Sequence, residues 1–172
     1  DADENIMETH GAFGFPVVVK PVGAGPSARA TVVHDEMELE AAVEDAFRFG
    51  DEVLVERYAQ GRIVTVGLLD GTPLGAIETG LSGTLARGET RPRMSTARLQ
   101  SILRLGTLAY EAVGAEGAAT VELIVSDRSN EVIVDLDTAP ALTPDAVLPR
   151  IAYTAGLKFA DLVEEVLDGA RI

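Results

Sequence analysis

The 172-residue sequence contains no cysteine and no tryptophan. Without cysteine there can be no disulfide, no zinc–thiolate centre and no thiol nucleophile. Aromatic residues make up only 5%, and they form no array on which bases of a single strand could stack. Positive charge is equally scarce: 14 Lys and Arg stand against 28 Asp and Glu, a formal net charge of −14. Phosphate backbones are bound by basic surfaces, so nucleic acid is excluded as a main partner. No apolar run approaches the roughly 20 residues that a membrane-spanning helix needs, and no membrane partner is expected. Asp1–His10 is acidic, unlike a secretory or transit peptide. A cytoplasmic protein is the expectation.

What is present is the composition of a chain that buries a core, 47% hydrophobic and 24% charged. Val17–Lys20 is a short apolar run between Pro16 and Pro21 and predicts a buried strand. Val22–Ala30, rich in Gly, Pro and Ser, predicts a loop, and Thr31–Val33 a return strand. Asp35 and Glu38 form a capping-box-like pair ahead of a helical stripe of Leu39, Ala42, Val43, Ala46 and Phe47 that ends near Gly50. Val53–Glu56 and Ile63–Leu69 predict strands, and Asp70-Gly71 a two-residue hairpin into Pro73–Glu78. After a polar loop, Thr79–Met94, Ser95 caps a helix with the stripe Leu99, Ile102, Leu103, Tyr110 and Val113, stopped by Gly114. A hairpin of Ala118–Val125 and Glu131–Asp137 follows, then short helices near Ala146–Ala155 and Phe159–Leu167. The class is α+β, with two lobes, 1–60 and 61–172, meeting near Ala59–Gly61.

Three groups of residues carry candidate chemistry. Lys20, one of only two lysines, ends an apolar strand directly before a loop of small residues. An ammonium in that position either snorkels to water or meets an anion, and small residues let backbone N–H groups approach phosphate oxygens. The second group is the hairpin around Asp127–Asn130. A turn of two or four residues pairs Ser126 with Glu131 and sets Glu122 opposite Asp135. Val121, Leu123, Val125, Val132, Val134 and Leu136 then share an apolar face, while Glu122, Asp135 and Asp137 share the other. Carboxylates at cross-strand range repel unless a proton or cation intervenes, and hard oxygen donors suit Mg²⁺ or Mn²⁺. A turn of three or five residues breaks that pairing, and a solvated acidic face neutralised by Arg is the alternative. The third group is Arg87, Arg91 and Arg93 within one loop, either a set of anion-binding side chains or scattered solvated charge.

The order of these pieces resembles the ATP-grasp portion of the D-alanine–D-alanine ligases. The resemblance rests on Gly14-Phe15-Pro16-Val17-Val18-Val19-Lys20-Pro21, on Val53-Leu54-Val55-Glu56 with the Gly61-Arg62 turn, and on Asp135-Leu136-Asp137-Thr138-Ala139-Pro140-Ala141-Leu142-Thr143-Pro144. Pro149-Arg150 followed by Ala155-Gly156-Leu157 completes it. The family implies a nucleotide held between two antiparallel sheets. Lys20 would hold the α- and β-phosphates, with Gly25 and Ser27 on the loop that covers them. Glu56 would accept from the adenine amino group, with Arg57 beside it and the Ala59 backbone reading the ring edge. Glu122, Asp135 and Asp137 would bind Mg²⁺ or Mn²⁺, Ala141 would present a backbone N–H, and Arg87, Arg91 and Arg93 would be lid arginines. In such ligases ATP phosphorylates a carboxylate and an amine attacks the acyl phosphate.

The sequence departs from the family where substrates bind. Ile63 replaces the ribose-binding Glu, Thr120 the Arg that steadies an oxyanion, and Ala146 a Ser that binds the substrate carboxylate. The usual Glu/Asn metal pair is Asp135/Asp137, and Ala141 replaces a Gly. The resemblance therefore implies the ATP-binding portion of a carboxylate–amine ligase, or a degenerate module that binds nucleotide or a partner chain without ligation. It also implies that the family's amino-terminal substrate domain is absent. Val17–Lys20 is expected near a sheet edge, open to self-association or to a partner chain.

Overall fold

The computed structural model describes residues 14–23, 30–79, 91–127 and 130–170 and divides them between two units, Asp1–Ala59 and Gln60–Ile172. In the first unit, β1 (Val17–Pro21), β2 (Thr31–Val33) and β3 (Val53–Arg57) form an antiparallel sheet in the order β2-β1-β3. The expectation of an edge position for Val17–Lys20 is therefore wrong. Two segments return to β1 and pair with its two sides, so its ladder is satisfied and its apolar residues are enclosed.

Alternation along β1 buries Val17, Val19 and Pro21 and leaves Val18 and Lys20 half-buried. The buried side meets helix α1 (Glu36–Ala46), whose Leu39, Ala42, Val43 and Ala46 pack on Val17, Val19 and Val33. The Asp35 carboxylate accepts from Met37 N–H at 3.0 Å and Glu38 N–H at 3.1 Å. Glu38 reaches back to His34 N–H at 2.9 Å, so both partners of the predicted box are engaged. Phe47 is not in the stripe: it caps the C-terminus and is 47% exposed.

The second unit is built on β4 (Arg62–Leu69), β5 (Thr72–Thr79), β6 (Ala118–Val125) and β7 (Val132–Asp137), antiparallel in the order β5-β4-β6-β7. Asp70 and Gly71 turn β4 into β5 with φ of 47° and 74°, the left-handed pair that a two-residue hairpin requires. Helix α2 (Thr96–Ala112), capped by Ser95 Oγ, lies on one face of the sheet. There Ile102 and Tyr110 meet Val64, Val66, Leu68, Ala119, Val121, Leu123 and Val125 in one buried cluster. Val113, expected in the helical stripe, is its C-cap and is 60% exposed.

The opposite face is only partly covered. Helices α3 (Val147–Thr154) and α4 (Phe159–Gly169) pack on Leu69 and Ala118 through Leu148, Ala152 and Leu162. Gly67 lies beneath α3, and a Cβ there would stand 2.9 Å from Leu148 Cδ1 and 3.0 Å from Ile151 Cγ2. Close packing, not a turn, requires glycine at this position. Among the described residues no helix is long and apolar enough to cross a membrane.

The β6–β7 hairpin agrees with expectation at one end and departs at the other. Thr120 pairs with Asp137, Val121 with Leu136 and Glu122 with Asp135, but the register then shifts, and Leu123 pairs with Ile133 and Ile124 with Val132. The expected pairing of Ser126 with Glu131 is thus out by one residue. A β-bulge beside Glu122 absorbs the difference. Val132 turns away from the core face and is 43% exposed, and Val134 is only half-buried.

Candidate functional site

In the first unit the register sets Val18 opposite Glu56 and Lys20 opposite Leu54. Lys20 and Glu56 therefore project from the same face of the sheet, the one not covered by α1. Their side chains meet there, Lys20 Nζ at 2.8 Å from Glu56 Oε2, with 30% and 36% of each exposed. Arg57 pairs with Val17, so alternation puts it on the α1 side, away from this ion pair. Tyr58 N–H donates to Pro16 C=O at 3.1 Å and ties down the end of β3. The next residue, Ala59, is half-buried, and among the described residues its backbone N–H and C=O have no partner. Gly25 and Ser27 lie outside the described residues.

In the second unit the candidate groups stand on the sheet face opposite α2. Thr65 on β4 pairs with Glu122 on β6, and Glu122 in turn with Asp135 on β7. The Thr65 hydroxyl, only 1% exposed as a residue, is 3.5 Å from Glu122 Oε1. Asp135 is exposed and its Oδ1 accepts from Leu136 N–H at 2.9 Å, while Asp137 Oδ1 accepts from Ala139 N–H at 2.8 Å. Each aspartate thus keeps one oxygen on its own backbone. Among the described residues no three carboxylate or imidazole groups converge as a closed metal site would require. The structure brings Glu122 and Asp135 together in register and sets Asp137 one step along, opposite Thr120. Thr65 was not singled out from the sequence, since an isolated threonine in an apolar strand carries no signal there.

Arg62 Nη1 donates to Glu78 Oε2 at 3.0 Å and to the Arg93 carbonyl at 3.3 Å. That contact anchors the Arg93 backbone beside Ser95 and α2. Arg91 is exposed, and Arg87 lies outside the described residues. Ala141 is exposed, with a backbone N–H that has no acceptor among the described residues. Ala146 is the N-cap of α3 and supplies no side-chain hydrogen bond. Ile63 pairs with Ile124 at the open end of the face, and Thr120, 8% exposed, lies between Gly67 and Asp137.

The chain is similar to known proteins. The family model described as D-ala D-ala ligase C-terminus matches residues 1–82 and 77–168. The D-alanine–D-alanine ligase of Anaeromyxobacter dehalogenans is 34% identical over 171 residues, covering 93% of this chain and 56% of that protein. The ligase of the same name from Syntrophotalea carbinolica is 37% identical over 169 residues, covering 92% and 55%. The chain thus spans a little over half the length of these relatives. Among solved structures, a D-alanine–D-alanine ligase from Bacillus anthracis complexed with ATP matches with a TM-score of 0.75 and 26% identity, over 91% of this chain and 51% of that one. A second structure of a ligase of that name and organism matches with a TM-score of 0.82 at 24% identity, over 96% and 57%, which speaks for the fold alone. The α+β architecture with two antiparallel sheets is that of the ATP-grasp ligases.

Proposed function

The chain belongs to the family of D-alanine–D-alanine ligase C-terminal domains, and on that premise we propose that it is the ATP-binding module of an ATP-dependent carboxylate–amine ligase. The observation that carries the proposal is on the face of the four-stranded sheet opposite α2, where Glu122 stands opposite Asp135 with Thr65 and Asp137 on the same side. Two hard oxygen donors in register fit Mg²⁺ or Mn²⁺, which commonly take one or two carboxylates and complete their shell with substrate phosphates and water. Glu122 and Asp135 would hold the ion, Asp137 would extend the set, and the bound metal would offset phosphate charge. The Thr65 hydroxyl lies 3.5 Å from the Glu122 carboxylate on the β4 side.

Lys20 is the nucleotide's cation in this reading, with Glu56 its partner until a phosphate replaces it. A half-exposed ion pair of this kind contributes at most about 1 kcal/mol, so exchanging Glu56 for phosphate oxygens costs little and frees the carboxylate to accept from an adenine amino group. The uncommitted N–H and C=O of Ala59 suit the edge of the ring. Gly25 and Ser27 are assigned to the phosphate loop by sequence alone. Ala141 N–H is a donor for a developing oxyanion.

The second reading, a module that binds nucleotide or a partner chain without ligation, is favoured by Thr120. A neutral, nearly buried hydroxyl stands where the family carries a guanidinium, and loss of one oxyanion donor costs on the order of 10²–10³ in rate. Mn²⁺ titration with and without ADP, on the unaltered chain and on Glu122→Gln and Asp135→Asn, tests the shared core of both readings. Binding should strengthen with ADP and fall in both variants; equal binding in all three proteins refutes the site. Mg–ATP should also raise the melting temperature, and less so in Lys20→Met. The two readings part on whether acyl phosphate forms from ATP and a carboxylate.

A further inference from the structure

We infer that Arg98 is a positioning residue: it holds the β6–β7 hairpin one residue out of step at its turn and thereby sets the bulge beside Glu122 and Asp135. The inference rests on the reading of those two carboxylates as the metal pair, and it begins from a conflict within the hairpin. A continuous register from Glu122–Asp135 would pair Leu123 with Val134 and Val125 with Val132. It would put Val132, Val134 and Leu136 together on the α2 face, as the apolar pattern demands. The structure does otherwise. Leu123 pairs with Ile133 and Ile124 with Val132, and Val132 and Ile133 are left 43% and 42% exposed. Apolar burial does not explain this register, so another interaction must hold it.

The Arg98 guanidinium supplies that interaction. Nε donates to Glu131 Oε1 at 3.1 Å, Nη1 to Asp127 Oδ1 at 2.9 Å, and Nη2 to the Ser126 carbonyl. Ser126 follows β6 and Glu131 precedes β7, so one rigid fork ties both strands at the turn. Arg98 and Glu131 are only 26% and 22% exposed. The decisive point is the face on which Glu131 lies. In the continuous register Glu131 pairs with Ser126 and points to the face opposite α2. Carried one step beyond Ile124–Val132, the observed register sets it against Val125 and so on the α2 side, within reach of Arg98. The Arg98–Glu131 bond therefore exists only if the hairpin is out of step, and the surplus residue must be absorbed as a bulge. That bulge falls between Glu122 and Leu123, where it bends the outer strand and re-aims the side chains beside it.

The test replaces Arg98 with Met in the full 172-residue chain, with Arg98→Lys as the conservative partner. Cross-strand nuclear Overhauser contacts read the register directly, and Mn²⁺ titration in the presence of ADP reads the carboxylates. In Arg98→Met the Leu123–Ile133 contact should give way to Leu123–Val134, and Mn²⁺ affinity should fall about fivefold while the melting temperature is kept or raised as Val132 becomes buried. Arg98→Lys, which keeps the charge facing Glu131, should restore part of both. Retention of the Leu123–Ile133 contact in Arg98→Met overturns the inference. So does a changed register that leaves Mn²⁺ affinity unaltered. If the unaltered chain shows no ADP-dependent Mn²⁺ binding, the metal reading fails, whereas the register measurement still decides what Arg98 does to the hairpin.

Discussion

The four-stranded sheet contains two hairpins that solve the same problem in different ways. In β4–β5 the turn and the apolar burial agree: Asp70 and Gly71 take up the left-handed conformations, and Val64, Val66, Leu68 and Ile77 are fully buried in spite of a register shift between Gly67 and Leu68. In β6–β7 they disagree. The outer strand leaves Val132 and Ile133 exposed, and its turn is held by the hydrogen bonds of one arginine. The first hairpin is fixed by burial and the second by polar geometry. The candidate carboxylates stand on the second. A register held by a few directional bonds can place a side chain where burial alone would not.

Leu68→Ala should sharpen the contrast most. It removes a fully buried side chain from β4 and is expected to cost about 2–5 kcal/mol in urea unfolding, whereas Ile133→Ala on the outer strand should cost no more than about 0.5 kcal/mol. Comparable losses at both positions would erase the distinction. Gly71→Ala forces a Cβ into the left-handed region at φ 74° and should cost about 1–2 kcal/mol, read as a shift in the denaturant midpoint.

Tyr110 gives the next effect. Its hydroxyl donates to Gly117 C=O at 3.0 Å, and its pKa is raised above the ordinary tyrosine value by burial, then by the Asp70 carboxylate, and to a smaller extent by Glu116, with a hydrogen bond from the Gly71 backbone acting the other way. A raised folded-state pKa means that the neutral phenol is the form favoured by folding. This stabilisation is complete below pH about 10 and is lost as pH rises through the folded value. Tyr110→Phe should cost about 0.5–1.5 kcal/mol at neutral pH and should flatten the alkaline fall in stability. An alkaline profile identical to that of the unaltered chain would contradict the assignment. The smallest effect on stability is expected from Asp135→Asn, within about 0.5 kcal/mol. The same variant should weaken ADP-dependent Mn²⁺ binding, so function and stability separate on one strand.

Much of this was legible in the sequence wherever period and chemistry agreed. The Asp35 cap, the Ser95 cap and the Asp70-Gly71 turn all follow from local rules, whereas Glu122 meets Asp135 only because the bulge makes up the residue by which the turn pairing is out. The bulge was not legible, because Val132, Ile133 and Val134 are three β-branched residues in succession, and an unbroken apolar run has no period from which to read a face. The central place of β1 was also hidden, since strand order depends on which later segments return to it. Arg57 follows Glu56 in sequence, but neighbours along a strand face opposite ways, and a strand this short gives no period from which to tell the faces apart. Arg98 escaped notice because its partners lie 28, 29 and 33 residues away in sequence.

Gly67 has a consequence for engineering. The α3 helix rests on the sheet at a spot where a side chain has been omitted, and a methyl group there would have to displace Leu148 or Ile151. The roofed stretch of the face is thus keyed to α3 like a tenon in a mortise, while Ile63, Glu122 and Asp135, which keep exposed surface, are free of that constraint. A library that varies the open residues can change what the platform binds and leave the joint untouched; one that includes position 67 loosens the joint before any new chemistry is sampled.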